Sequence, residues 1–160
     1  MILGIHHAAI STPDLDRALD FYCNVLGFTV ASRMDWAQGA ALPDTIMGIR
    51  GSAARQAKLR AGNCFLELFE FSSPAPSRPD RGIQDHGITH LCLHVRELAA
   101  EVARLEAAGI RFRSAPQRRA SHASVYGHDP DGNVLELLEV TDDSHPFSFA
   151  TLGPGRDGRP

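Results

Sequence analysis

A chain of 160 residues, 43% hydrophobic and 22% charged, is long enough for one domain with a buried core and has the composition of an ordinary globular protein. Its formal charge of −3 gives no electrostatic reason to expect nucleic acid or an anionic membrane as partner, and no apolar run reaches the ~18 residues needed to cross a bilayer. Met1-Ile2-Leu3-Gly4 lacks the basic flank and long apolar stretch of a secretion signal. Cys23, Cys64 and Cys92 are odd in number and show no CxxC spacing, so they read as reduced, half-buried thiols. The expected location is the cytoplasm.

In chain order, Ile5 to Ser11 is a short apolar strand. Pro13 opens a helix, with Thr12 as its N-cap; Leu15, Ala18, Leu19, Tyr22 and Leu26 recur at helical spacing as the buried stripe, and Gly27 ends it. Phe28 to Met34 is strand-like, and Ala54 to Arg60 pairs with Cys64 to Phe71 as a hairpin across Ala61-Gly62-Asn63. A strand over 88–95, a helix over 97–108 ended by Gly109, and strands over 110–113, 121–128 and 133–140 follow. The last hairpin turns on Asp129-Pro130-Asp131-Gly132.

This order repeats itself, and so do two strings. Gly4-Ile5-His6-His7 returns as Gly87-Ile88-Thr89-His90, with the histidines 83 positions apart. Gly62-Asn63-Cys64-Phe65-Leu66-Glu67 returns as Gly132-Asn133-Val134-Leu135-Glu136 around the glutamates, which are 69 apart. The chain is therefore read as a duplication within one domain, 1–141, with module one at about 4–71, a linker over 72–86 and module two at about 87–141. The fold class expected is α+β: two tandem βαβββ modules whose mixed sheets curl into an incomplete barrel around one metal site. The 14-residue difference between the two spacings falls in an insert at 35–53, which carries the only tryptophan, Trp36; it is either a lid over a pocket or a packed surface loop. Residues 142–160 form a tail rich in glycine, proline and charge, in which Phe147 and Phe149 are apolar enough to dock on a neighbouring chain.

Each repeat places a histidine in its first strand and a glutamate in its last. Alternate strand residues share a face, so Glu67 lies among Phe65, Phe69 and Phe71, and Glu136 among Val134, Leu138 and Val140. A carboxylate on an apolar face is costly to bury alone. Two of them at equivalent positions of a repeat call for a common cause, and a shared cation supplies one. His7 and His90 sit on similarly apolar faces. Two neutral imidazoles and two carboxylates around one divalent ion make a neutral set of N and O donors suited to Zn, Ni, Co, Mn or Fe. His7, Glu67, His90 and Glu136 are the expected ligands. Glu70 and Glu139 fall on the opposite face and are expected to meet solvent; His6, adjacent to His7, is expected to point away.

The motifs also carry a resemblance. His7 with Pro13-Asp14-Leu15, Phe21-Tyr22, Leu26-Gly27-Phe28, Leu66-Glu67-Leu68, Gly87-Ile88-Thr89-His90 and Asp129-Pro130-Asp131-Gly132 through Glu136 resemble the vicinal oxygen chelate superfamily over about residues 4–140. That group includes glyoxalase I, methylmalonyl-CoA epimerase, extradiol dioxygenases and fosfomycin- and bleomycin-resistance proteins. Its four ligand positions land on His7, Glu67, His90 and Glu136. The resemblance implies a metal that chelates two neighbouring substrate oxygens, with Glu136 or Glu67 as the catalytic base for a proton next to a carbonyl. It also implies a homodimer acting on a small molecule.

Two other readings compete with this lyase or isomerase. An Fe(II) ring-cleaving dioxygenase needs two histidines and one carboxylate, and Val125-Tyr126, Asp129-Pro130, Gly132 and Glu136 fit the second half of the extradiol signature while the first half fails at His122. A drug-sequestering binder needs no metal. His122, Ser124, Tyr126 and His128 alternate along one strand and either line the cavity or form a wet outer face. Tyr126, His122 and Trp36 are the candidate substrate contacts. Arg113, Arg118 and Arg119 read as solvated.

Overall fold

A computed structural model describes residues 4–77 and 82–152. The chain divides into two compact units, one within residues 5–80 and the other within 1–4 and 81–160. Both are α+β, each with one four-stranded mixed sheet and helical segments.

In the first unit β1 (His7–Ser11) leads into a helix α1 (Leu15–Leu19) that widens into π turns over Asp20–Val25. β2 (Thr29–Trp36), a short helix α2 (Ala41–Met47), β3 (Ala53–Ala61) and β4 (Cys64–Ser73) follow. The sheet order is β1-β4-β3-β2, with β1 parallel to β4 and the other pairs antiparallel. The second unit runs β5 (Leu91–His94), α3 (Leu98–Ala107), β6 (Gln117–Arg118), β7 (His122–His128) and β8 (Val134–Val140). Its order is β5-β8-β7-β6, with the same parallel and antiparallel pattern. Neither sheet closes on itself. One topology built twice is what the two repeated strings require.

Each sheet gives one face to its helix. Leu15, Ala18, Leu19, Phe21 and Tyr22 are buried, as are Ala57, Leu59, Leu66 and Leu68 of β3 and β4. In the second unit Leu98, Val102 and Leu105 are buried with Ala123, Val125, Leu135 and Leu137. Each such leucine, taken out of water, contributes roughly 1.5–3 kcal/mol before entropy is counted. The period-2 alternation leaves the other face of each sheet to carry the histidines and glutamates.

The helix start differs from expectation. Thr12 is not the N-cap: its hydroxyl accepts the Asp14 N–H at 3.2 Å, which makes a turn ahead of the helix. Asp14 caps, its carboxylate accepting the Arg17 N–H at 3.0 Å. Gly27 ends the helix with φ +80°, as expected. The strand expected over 110–113 is reduced to one bridge, Phe112 to Gly127, and the paired edge falls later, at β6. Pro116, between the two, has no N–H to give to a ladder and so breaks the edge.

Glu70 and Glu139 lie on the helix side as the alternation required, but they do not simply face water. Glu70 Oε2 accepts the Leu15 N–H at 2.8 Å, and Glu139 Oε1 accepts the Glu97 N–H at 2.7 Å. Helix N-termini leave donors unsatisfied, and a carboxylate there answers both the donors and the dipole. Arg55 bonds Glu70, and Arg118, expected to be solvated, pairs with Glu139 at 3.1 Å.

The insert folds into α2, whose Leu42 and Ile46 are exposed. Asp44 ties it down by accepting the N–H groups of Gly51 and Ser52 at 2.7 and 2.8 Å and the Ser52 hydroxyl. The buried Ser52 hydroxyl in turn accepts the Trp36 indole N–H at 2.9 Å. Part of the linker, residues 78–81, and the end of the tail, 153–160, lie outside the described residues. The described part of the tail rests on its own unit: Phe149 meets the ring of His94 edge-on at 4.8 Å, while His145 and Phe147 lie against His122. The three cysteines are free, and Cys92, expected to be half-buried, is exposed. Among the described residues no helix is long and apolar enough to cross a membrane.

Candidate metal centre

The parallel pairing of β1 with β4 sets Ala9 opposite Glu67, so His7, two residues earlier, lies on the same face one step along. Its Nε2 is 3.4 Å from Glu67 Oε2. In the second unit Cys92 is opposite Glu136, and His90 stands two residues before it with Nε2 3.2 Å from Glu136 Oε2. The same offset in the same topology produces the same pair twice. Both carboxylates are largely shielded, with side-chain exposures of 10% for Glu67 and 15% for Glu136.

The hairpin that delivers Glu136 is fixed by buried Asp129. Its carboxylate accepts the N–H groups of Asp131 and Asn133 at 3.0 and 2.7 Å and the Asn133 side-chain amide at 2.7 Å. Gly132 completes the turn at φ +77°, where a side chain would be strained.

Behind His90, Nδ1 is 2.7 Å from the Thr89 hydroxyl. When Nδ1–H donates to that oxygen, the Nε2 lone pair is aimed at Glu136. Two electron-rich atoms 3.2 Å apart then need a positive species, either a proton on the ring or a metal ion. His7 Nδ1 is 2.9 Å from His6 Nδ1, so His6 supports His7 rather than pointing away. It precedes the first residue of β1, so the pleat does not set its direction. The separations also fit an ion: donors at about 2.0–2.2 Å from a common metal stand about 2.8–3.1 Å apart at octahedral and about 3.3–3.6 Å apart at tetrahedral angles. Each pair is therefore spaced like two adjacent ligands. Among the described residues no group of three or more His, Cys, Asp or Glu side chains is placed to hold a metal ion, so each His–Glu pair stands as two donors.

Residues 4–137 match the Glyoxalase/Bleomycin resistance protein/Dioxygenase superfamily. The chain belongs to that superfamily. It is similar to a 2-epi-5-epi-valiolone epimerase from Actinomyces sp, 32% identical over 86% of this chain and 80% of the relative. It is also similar to a catechol-2,3-dioxygenase from Bacillus subtilis, 31% identical over 83% of this chain but only 40% of that protein. A glyoxalase family protein from Bacillus cereus shares the fold, with a TM-score of 0.77 at 20% identity over 89% of this chain and 97% of the other.

Around the two His–Glu pairs of this chain the surroundings differ. Tyr126 stands directly opposite Glu136 across β7 and β8, with its ring edge-on to His90 at 5.2 Å. Desolvation, and then the negative charge of Glu136, hold its phenol above the ordinary value, so it stays a protonated donor at neutral pH. The same two causes in the same order push the Cys92 thiol up to about 12, since its sulfur lies against Glu136 although the residue as a whole is exposed. In the first unit the residue opposite Glu67 is Lys58, whose Nζ is 2.7 Å from Glu67 Oε1. The sequence signal for Lys58 lies in the alternation, which puts it on the face of Glu67 once the β3–β4 register is known.

His122, Ser124, Tyr126 and His128 are all half-buried on one face. Tyr126 touches the His90–Glu136 pair; His122 sits four pairings further along and meets His145 and Phe147. Trp36 packs edge-on to Phe69 and Phe71, on the strand face that also carries Glu67. Arg113 bonds the ring of His128 at 2.9 Å rather than standing free in water.

Proposed function

We propose that the protein is a metal-dependent enzyme that takes a small substrate by two neighbouring oxygens and removes a proton next to a carbonyl, as an epimerase- or glyoxalase-like isomerase or lyase. The observation that carries this is the doubled His–Glu pair, with its donors 3.4 and 3.2 Å apart at equivalent places of the repeat. His7, Glu67, His90 and Glu136 would hold one divalent ion, of Zn, Ni, Co, Mn or Fe type. When bound, such an ion supplies Lewis acidity to the substrate oxygens.

The chain's own residues do the rest. Glu136 or Glu67 receives the proton, since a carboxylate shielded from water beside the reacting carbon is a competent base. Tyr126 donates to an oxygen of the substrate or to Glu136 and so fixes the acceptor. Trp36, with Phe69 and Phe71, covers the apolar part of the substrate and excludes water, and His122 bounds the far end of the second unit's face.

A ring-cleaving dioxygenase is the second reading, supported by the Bacillus subtilis relative. Two facts weigh against it. Glu67 makes four candidate donors where that chemistry uses three. The chain matches 80% of the epimerase but 40% of the dioxygenase. The protein is expected to act in the cytoplasm as a homodimer on a soluble small molecule.

The test is exchange of the α-proton of 2-oxo and 2-hydroxyketone substrates into D₂O by metal-loaded protein, followed by NMR. Glu136→Gln and Glu67→Gln should reduce exchange by at least about 10²-fold. Oxygen uptake with catechols, and no exchange with any carbonyl substrate, would replace this reading by the second.

A further inference from the structure

Glu67 and Glu136 occupy equivalent places, yet the residue facing each one across the antiparallel ladder differs in charge. Opposite Glu136 is a phenol, Tyr126; opposite Glu67 is an ammonium, Lys58. Lys58 is the only lysine in a chain with 16 basic residues. Its Nζ takes Glu67 Oε1 at 2.7 Å, while Oε2 faces His7 Nε2 at 3.4 Å. The two oxygens of one shielded carboxylate are thus divided between two partners.

We propose that Lys58 is a positioning residue of the metal centre: it holds Oε1 of Glu67 so that Oε2 alone is presented beside His7, and its charge makes the centre select a substrate that binds as an anion. This rests on reading Glu67 as a ligand. A charge-assisted hydrogen bond at 2.7 Å resists the swing of the carboxylate that two-oxygen ligation would need. Register, not reach, places the ammonium, because Lys58 and Glu67 are direct cross-strand partners. The site around it is partly dry: the Lys58 side chain is 31% exposed, and Phe69, Phe71 and Trp36 continue the same face.

The charge count gives the substrate class. Two imidazoles, two carboxylates and a divalent ion sum to zero, and Lys58 adds one positive charge. A lysine next to a dication is repelled by it, and an incoming anionic oxygen pair, such as that of a 2-oxo acid or an enediolate, relieves the repulsion. A neutral diol does not.

The experiment uses the full chain stripped of metal and loaded with Co²⁺, with oxalate as the two-oxygen anionic probe. Wild type, Lys58→Met, Lys58→Arg and Glu67→Gln are compared by the visible bands of Co²⁺, by its affinity, and by oxalate binding followed through those bands. Lys58→Met should shift the bands, as Glu67 gains freedom to ligate through both oxygens, and should bind oxalate about tenfold more weakly. Lys58→Arg should keep oxalate binding within about twofold of wild type. Wild-type bands and oxalate affinity in Lys58→Met, with Co²⁺ binding weakened in Glu67→Gln, would overturn the role of Lys58. So would an arginine variant as weak as the methionine one. If Glu67→Gln binds Co²⁺ as wild type does, the ligand reading beneath the proposal has failed instead.

Discussion

Glu70 Oε2 accepts the backbone N–H of Leu15 at 2.8 Å, joining β4 to the first turn of α1 across 55 residues of chain. Glu139 and Glu97 repeat the contact in the second unit. These carboxylates orient each helix on its sheet, on the face away from the candidate ligands. Removing one leaves helix-start donors without an acceptor, and at Glu70 it also leaves Arg55 with Asp16 as its remaining carboxylate partner. Glu70→Ala is expected to cost about 1–3 kcal/mol of unfolding free energy, measured in urea, with metal affinity unchanged.

Gly127 lies inside β7 with its backbone pressed against the edge segment. A Cβ there would come within 2.9 Å of the Phe112 ring and 3.2 Å of the Arg111 carbonyl oxygen. The ring can turn; the carbonyl belongs to backbone and cannot easily give. Gly127→Ala should cost about 1–3 kcal/mol and loosen the single bridge that holds residues 111–113, seen as faster amide exchange at Arg113, which donates to Tyr126 O at 2.8 Å. Wild-type stability and exchange would show that the edge yields freely.

The Asp44 latch predicts an acid transition. The Ser52 hydroxyl, then the N–H groups of Ser52 and Gly51, hold the Asp44 carboxyl below its ordinary 3.8. A carboxyl lowered by folding stabilises the fold above its unfolded value and loses that contribution as pH falls through its folded one. The insert should therefore stay latched to below pH 3.8 and release there. Trp36, the only tryptophan, donates to Ser52 and reports the event by its emission. Asp44→Asn should abolish the transition, and its persistence in that variant would assign it elsewhere.

Thr89 is 2.7 Å from His90 Nδ1, and its hydroxyl oxygen offers the Nδ1–H an acceptor that would leave Nε2 free to ligate. Thr89→Val keeps the shape and removes the hydroxyl. Affinity for Zn²⁺ or Co²⁺, measured by calorimetry, should fall about tenfold, with the circular dichroism spectrum unchanged. An unchanged affinity would mean that the ring is oriented by packing against Tyr126 alone.

The duplication, the β3–β4 and β7–β8 hairpins, the helix stops at Gly27 and Gly109 and the face bearing Glu67 were all legible in the chain, because periodicity and turn chemistry are local. The helix cap was not: Thr12, Pro13 and Asp14 form a run in which either polar residue suits the position, and only the backbone geometry assigned Asp14. The broken edge at Pro116 is not legible because Ile110-Arg111-Phe112-Arg113 alternates apolar and charged residues as a half-buried strand does.

By itself the sequence determined that each half carries one histidine at or just before its first strand and one glutamate on a face of its last, since alternation along a strand follows from the pleat alone; His7 begins β1, while His90 stands one residue before β5. It could not determine which residue stands across from each glutamate, or what Glu70 and Glu139 do on the other face. Those depend on register between strands and on where a helix comes to rest, which are set by contacts between residues tens of positions apart. Only the tertiary structure put Lys58 beside Glu67 and Tyr126 beside Glu136, and so gave two equivalent carboxylates different electrostatic surroundings.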